Sequence, residues 1–147
     1  MNTLKKTILM LGVMVVLTGG CATTESAPSE EVSAGLPDEE QVIAIIGAWK
    51  EAILEKDIDS IRGLISESFG TEDGYDKAGY VKALKARMDA ELLDEAEISA
   101  DDLDVEINDN QAWAEGMVID LPSDTSELQF GLEKESDGLW RVVYLDD

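Results

Sequence analysis

No histidine occurs anywhere in this sequence, so neither a Ser-His-Asp nor a Cys-His arrangement can be assembled, and the commonest transition-metal ligand is missing with it. Carboxylate is abundant instead. Asp102, Asp104 and Glu106 alternate along one stretch with Asp101 and Asp109 beside them, and clustered oxygens of this kind suit calcium. No D-x-[DN]-x-[DN]-G loop accompanies them, so the pattern reads as the solvated face of a strand, and neither a metal nor another cofactor is expected. Arg62, Arg87 and Arg141 can each grip a substrate carboxylate through two parallel hydrogen bonds, although pairing with the many acids is the plainer reading. Trp49, Tyr80, Trp113 and Trp140 have rings suited to the apolar floor of a binding pocket, or to a packed core. Asp73 sits in Glu72-Asp73-Gly74, an ordinary turn composition.

Charge narrows the choice of partner. Lys5 and Lys6 are the only charged residues among the first twenty, so the remainder carries nine basic against 33 acidic side chains, a net of −24. Such a chain repels nucleic-acid phosphates and anionic headgroups, and nucleic-acid binding is excluded on this ground.

Cys21 is the one cysteine, and it closes Leu17-Thr18-Gly19-Gly20-Cys21. Lys5 and Lys6 precede an uncharged stretch from Thr7 to Gly20, and a basic start, a short apolar run and small residues describe a secretory signal. The run is short for a bilayer core of about 30 Å, which takes about 20 helical residues. A single thiol in an exported chain has no internal disulfide partner. The Leu-Thr-Gly-Gly-Cys ending resembles the lipobox of bacterial lipoproteins, with Leu17 four residues before the cysteine rather than the usual three. That resemblance implies removal of residues 1–20, acylation of Cys21 and anchoring in the cell envelope by lipid. Ala22 stands where an aspartate would imply inner-membrane retention, so the resemblance implies the periplasmic side of the outer membrane.

Residues 22–37 are small, polar and punctuated by Pro28 and Pro37, too poor in apolar surface to offset ordering. They read, with Cys21, as a tether (21–37) with a reach of roughly 20–25 Å. Residues 38–147 have the pattern of one globular domain.

Within that domain, Asp38 can cap a first helix, with Gln41 placed to reach back and Val42, Ile46, Trp49 and Ile53 on one face. Gly47 inside it costs up to about 1 kcal/mol relative to alanine, which suggests close packing there. Asp57 can cap a short second helix carrying Ile58, Ile61, Leu64 and Ile65. An extended piece from Phe69 to Glu72 follows, then a helix from about Asp76 with Tyr80, Leu84, Met88 and Leu92 on one face. Past Glu95 the period falls to two. Leu103, Val105 and Ile107 mark one strand, Trp113–Leu121 a second, Leu128, Phe130 and Leu132 a third, and Trp140–Leu145 a fourth, with turns between them. Helices followed by an antiparallel meander make an α+β plan. Apolar residues occupy both faces of Trp113–Ile119 and of Trp140–Leu145, so the outer face needs a cover, and a homodimer is the expectation.

Three stretches carry a family resemblance: Ile46-Gly47-Ala48-Trp49-Lys50-Glu51-Ala52 with Lys56-Asp57-Ile58-Asp59-Ser60-Ile61, then Leu64-Ile65-Ser66-Glu67-Ser68-Phe69, and Asp137-Gly138-Leu139-Trp140-Arg141-Val142. In order and spacing they resemble the NTF2-like superfamily, also called SnoaL-like or cystatin-like. The resemblance implies a cone, with N-terminal helices packed on a curved antiparallel sheet around a pocket. Set against its ketosteroid-isomerase branch, Trp49 takes the place of the tyrosine on the first helix, and Asp73 that of the aspartate base. Gln129 or Phe130 takes the place of the neutral aspartate. With one of three catalytic groups kept, the expectation leans away from an enzyme. It favours a lipid-anchored domain binding a small apolar ligand or a protein partner, with Trp49, Tyr80, Trp113 and Trp140 as ligand-binding candidates. The alternatives are a lyase or isomerase with Asp73 as base, and an assembly subunit acting through its sheet.

Overall fold

A computed structural model describes residues 35–146. The expected signal segment, Cys21 and most of the expected tether lie outside the described residues. The first helix, α1 (Asp38–Leu54), buries Val42, Ile45, Ile46, Trp49, Ala52 and Ile53 along one stripe, as the spacing requires. Its N-cap is Pro37, one residue earlier than the expected Asp38, and no side chain caps it. Asp38 is drawn away by Lys134 and Trp140, and Gln41 donates to the Leu36 carbonyl at 2.6 Å. The close packing expected at Gly47 is not found: nothing lies within 4 Å of where a Cβ would stand.

Asp57 caps α2 (Ile58–Leu64) as expected, accepting from the Asp59 and Ser60 amides at 3.2 and 3.1 Å. Strand β1 (Ile65–Thr71) follows without a loop, so it starts well before Phe69. Asp76 caps α3 (Lys77–Asp89), accepting from the Gly79 amide at 2.8 Å. Leu84 and Met88 face the core with Val81, whereas Leu92 lies beyond the helix and is exposed, because α3 ends at Asp89 and the helical period stops with it.

The sheet holds six strands. The short β2 (Glu97–Ser99) went unrecognised in the sequence because three residues cannot show a period. After it come β3 (Asp104–Asn108), β4 (Gln111–Leu121), β5 (Asp124–Lys134) and β6 (Trp140–Asp146). The order is β1-β6-β5-β4-β2, with β3 also paired to β4. All pairs are antiparallel except β1 with β6, which run parallel.

Two irregularities re-phase the strands and curve the sheet. On β4, Glu115 and Gly116 together oppose Gln129, between the pairs Ala114–Phe130 and Met117–Leu128. Ala112, Ala114 and Met117 therefore all turn inward and are buried, as are Leu128, Phe130 and Leu132 across from them. Gly116 has φ of 96°, and a Cβ there would meet the Asp102 carbonyl at 2.4 Å, so only glycine fits. On β6, Val143 is the extra residue between Val142 and Tyr144. These shifts explain why both strands read as apolar on two faces. The outer face is in fact largely polar, which removes the apolar argument for a subunit covering it.

The inner face of the curved sheet meets α1, α2 and α3 in one core. Trp49 is 2 % exposed and meets Phe130 edge-on, with ring centroids 5.3 Å apart.

Candidate functional site

Between α1, α3 and the open end of the sheet lies a cavity of about 150 Å³. Its apolar walls are built from helical spacing on one side, with Trp49 and Ile53 one turn apart on α1, and Tyr80, Ala83, Leu84 on α3. Ile119, Leu128 and Leu145 close it from β4, β5 and β6, and Leu93 from the loop after α3. Tyr80 leans on Phe69 with ring centroids 5.1 Å apart, which fixes the ring that borders the opening.

Polar residues gather at the mouth. Thr71 comes from the end of β1, Glu72, Asp73 and Tyr75 from the turn after it, Arg87 from α3 and Asp146 from the end of β6. The turn itself is well defined. The Gly74 amide donates to the Thr71 carbonyl at 3.0 Å, the Thr71 amide to the Tyr75 carbonyl at 3.1 Å, and Gly74 takes φ of 85°. Three acids against one arginine leave the mouth negative.

Glu72 and Asp146 are a linked pair. Thr71 is paired with Leu145 in the parallel ladder, so the next residue of each strand carries a carboxyl group to the same place. The Glu72 carboxyl is held above its ordinary 4.5, first by its hydrogen bond with Asp146, which requires a proton on one of the two acids. The charge of Asp146, loss of solvent and the charge of Asp73 act in the same direction. The Tyr144 phenol nearby is pushed above 10.0 by loss of solvent and then by Asp146 and Glu72.

The structure brings together three of the five residues singled out for a pocket. Asp73, Trp49 and Tyr80 all line the cavity, with Asp73 exposed at the rim. Trp140 does not. It is 1 % exposed, and its Nε1 donates to Asp38 at 3.3 Å, so its polar tip is used within the fold. Trp113 does not either, because the phase of β4 turns it to the outer face, where it is 49 % exposed. Of the arginines, Arg62 pairs with Asp59 and Arg141 with Glu135 and Asp137, while Arg87 reaches the mouth. Asp104 and Glu106 lie exposed on β3, with Asp101, Asp102 and Asp109 exposed beside it. Glu72 and Asp146 carried no signal of their own in the sequence beyond standing next to Asp73 and Leu145. Only the β1–β6 pairing joins them.

No protein-family model matches the sequence, and a search among curated proteins finds no relative. Solved structures do match. An NTF2-like protein of unknown function from Pseudomonas putida KT2440 superposes with a TM-score of 0.63 at 16% identity, covering 74% of this chain and 83% of its own. A cystatin-like protein of unknown function from Nostoc punctiforme gives 0.61 at 11% identity, covering 74% and 88%. A candidate dehydratase of the NTF2-like family from Streptomyces avermitilis gives 0.59 at 14% identity, covering 74% and 93%. At these identities the likeness is one of fold. The chain has the NTF2-like, cystatin-like α+β cone, with helices packed on a curved, largely antiparallel sheet.

Proposed function

We propose that this chain is a lipid-anchored envelope domain that binds, without turning it over, a small apolar molecule bearing a neutral or cationic polar end. The observation carrying this is the cavity of about 150 Å³, apolar within and acidic at its mouth. A dry cavity of roughly that size takes a benzene-sized guest. Burying such a guest contributes roughly 25 cal/mol per Å² of apolar surface removed from water. A carboxylate-bearing ligand meets Glu72, Asp73 and Asp146 at the rim and is repelled, whereas an amine or hydroxyl is received. The lipobox-like ending at Cys21 supports the anchor, and residues 22–37 supply the reach from the membrane.

The alternative, a lyase or isomerase with Asp73 as base, draws support from the place of Asp73 on the rim and from the likeness to a candidate dehydratase. It asks for a carboxylate enclosed with its substrate, and Asp73 is exposed.

Thermal shift of the purified chain with indole, tryptamine and indole-3-acetate tests the binding reading. Binding predicts stabilisation by indole and tryptamine and none by the acid, with the response lost in Ala83→Phe, which fills the cavity. Absence of any shift overturns the reading.

A further inference from the structure

The outer face of β4, β5 and β6 carries an aromatic pair that the cavity does not use. Trp113 is 49 % exposed and meets Tyr144 with ring centroids 5.8 Å apart and planes inclined by 64°. Gly131 lies between them in the ladder, paired with Trp113 on one side and Tyr144 on the other. A Cβ on Gly131 would stand 3.0 Å from the Tyr144 Cβ and 3.4 Å from the Trp113 ring. The glycine therefore lets the two rings settle against the sheet while half of Trp113 stays in solvent. Isolated exposed apolar residues are normal on any surface, but a braced, half-exposed tryptophan is the kind of group that anchors interfaces.

Charge selects the partner. Glu106 is paired directly with Trp113 across β3 and β4. One row along, Asp104 stands directly opposite Glu115, a cross-strand pair of like charges that destabilises the sheet unless something positive lies over it. Glu133 and Glu127 extend the same face on β5. Among the described residues of β3 to β6 the one base on that face is Arg141, and its guanidinium is taken by Glu135 and Asp137 at 2.5 and 2.8 Å.

We propose that this face, centred on Trp113, is a docking surface for a basic, arginine-bearing segment of another protein. A guanidinium stacks on the indole while pairing with the carboxylates around it, which a lysine does less well. Against a second copy of this chain the same face would set Asp104, Glu106 and Glu115 against their own counterparts.

The test is fluorescence anisotropy of a labelled peptide of alternating arginine and serine, titrated with the full chain in detergent at about 0.15 M salt, where distant charges are screened. Trp113→Ala is expected to weaken binding about fivefold, and the lysine peptide to bind more weakly than the arginine one. Trp113→Leu, which keeps Gly131 covered, should show the same loss if the alanine variant folds poorly. Glu106→Gln with Glu115→Gln should weaken binding, whereas Glu51→Gln on α1 with Glu55→Gln at its C-cap should not. Equal losses in the two charge pairs mean diffuse attraction to an acidic protein and overturn the proposal. So does a peptide that does not bind, including the case in which light scattering shows a dimer dependent on Trp113.

Discussion

The Trp140 indole donates to the Asp38 carboxylate at 3.3 Å, joining the first residue of α1 to the first residue of β6. Lys134 of β5 reaches the same oxygen at 2.6 Å and lies over the Trp140 ring at 5.9 Å. One carboxylate thus holds the start of the helical layer to two strands of the sheet.

Asp38→Asn should lower stability at neutral pH. The Asp38 carboxyl is held below its ordinary 3.8, chiefly by the hydrogen bond from Lys134 and then by that from Trp140. A depressed folded value means that the contribution is present above 3.8 and is lost as pH falls through the folded value. Denaturant midpoints for wild type and variant should therefore differ at pH 7 and converge in strong acid.

Glu72→Gln should do the opposite. The folded Glu72 value is raised, so its share of stability is full below 4.5 and lost as pH rises through the folded value. The variant should melt higher than wild type at pH 7, and the gap should close below 4.5. A variant less stable than wild type at neutral pH would mean that the pair serves as a strut.

Trp49→Ala should cost about 3–5 kcal/mol in chemical denaturation, the usual range for truncating a large buried aromatic. It removes both the Phe130 contact and one wall of the cavity. A loss below about 1 kcal/mol would place the ring at an open pocket mouth.

The mature chain should begin at an acylated Cys21, read by mass spectrometry of its N-terminus, and Cys21→Ser should release the domain from membranes or leave the precursor uncut. A free thiol at Cys21 in membrane fractions would refute the anchor.

Local pattern accounts for what was legible. Asp57 announces its helix because capping is a short-range matter, and Val42, Ile46, Trp49 and Ile53 fall on the buried stripe because the helical period is rigid. Trp140 does face the core but lies beside Asp38 and Lys134, away from the cavity, a distance along the strand that no period records. Trp113 falls on the wrong face because a strand's period assigns residues to one of two faces only while the phase is unbroken. Gly116 and Val143 break it, and nothing local marks which residue of a strand is the extra one. The rim of the cavity was legible at Asp73 alone. Its partners arrive through the parallel β1–β6 ladder, a pairing of segments far apart in sequence that no spacing rule records.

That ladder also governs when the domain can exist. β6 is the last of the described strands in chain order, yet it lies between β1 and β5, so β1 stays apart from the rest of the sheet until Val142 and Leu145 meet Ile65 and Thr71. Contacts of such long sequence separation make closure late and slow. Until β6 pairs, β1 has no neighbour in the sheet, and the meeting of Glu72 with Asp146 at the rim of the cavity waits on that same step.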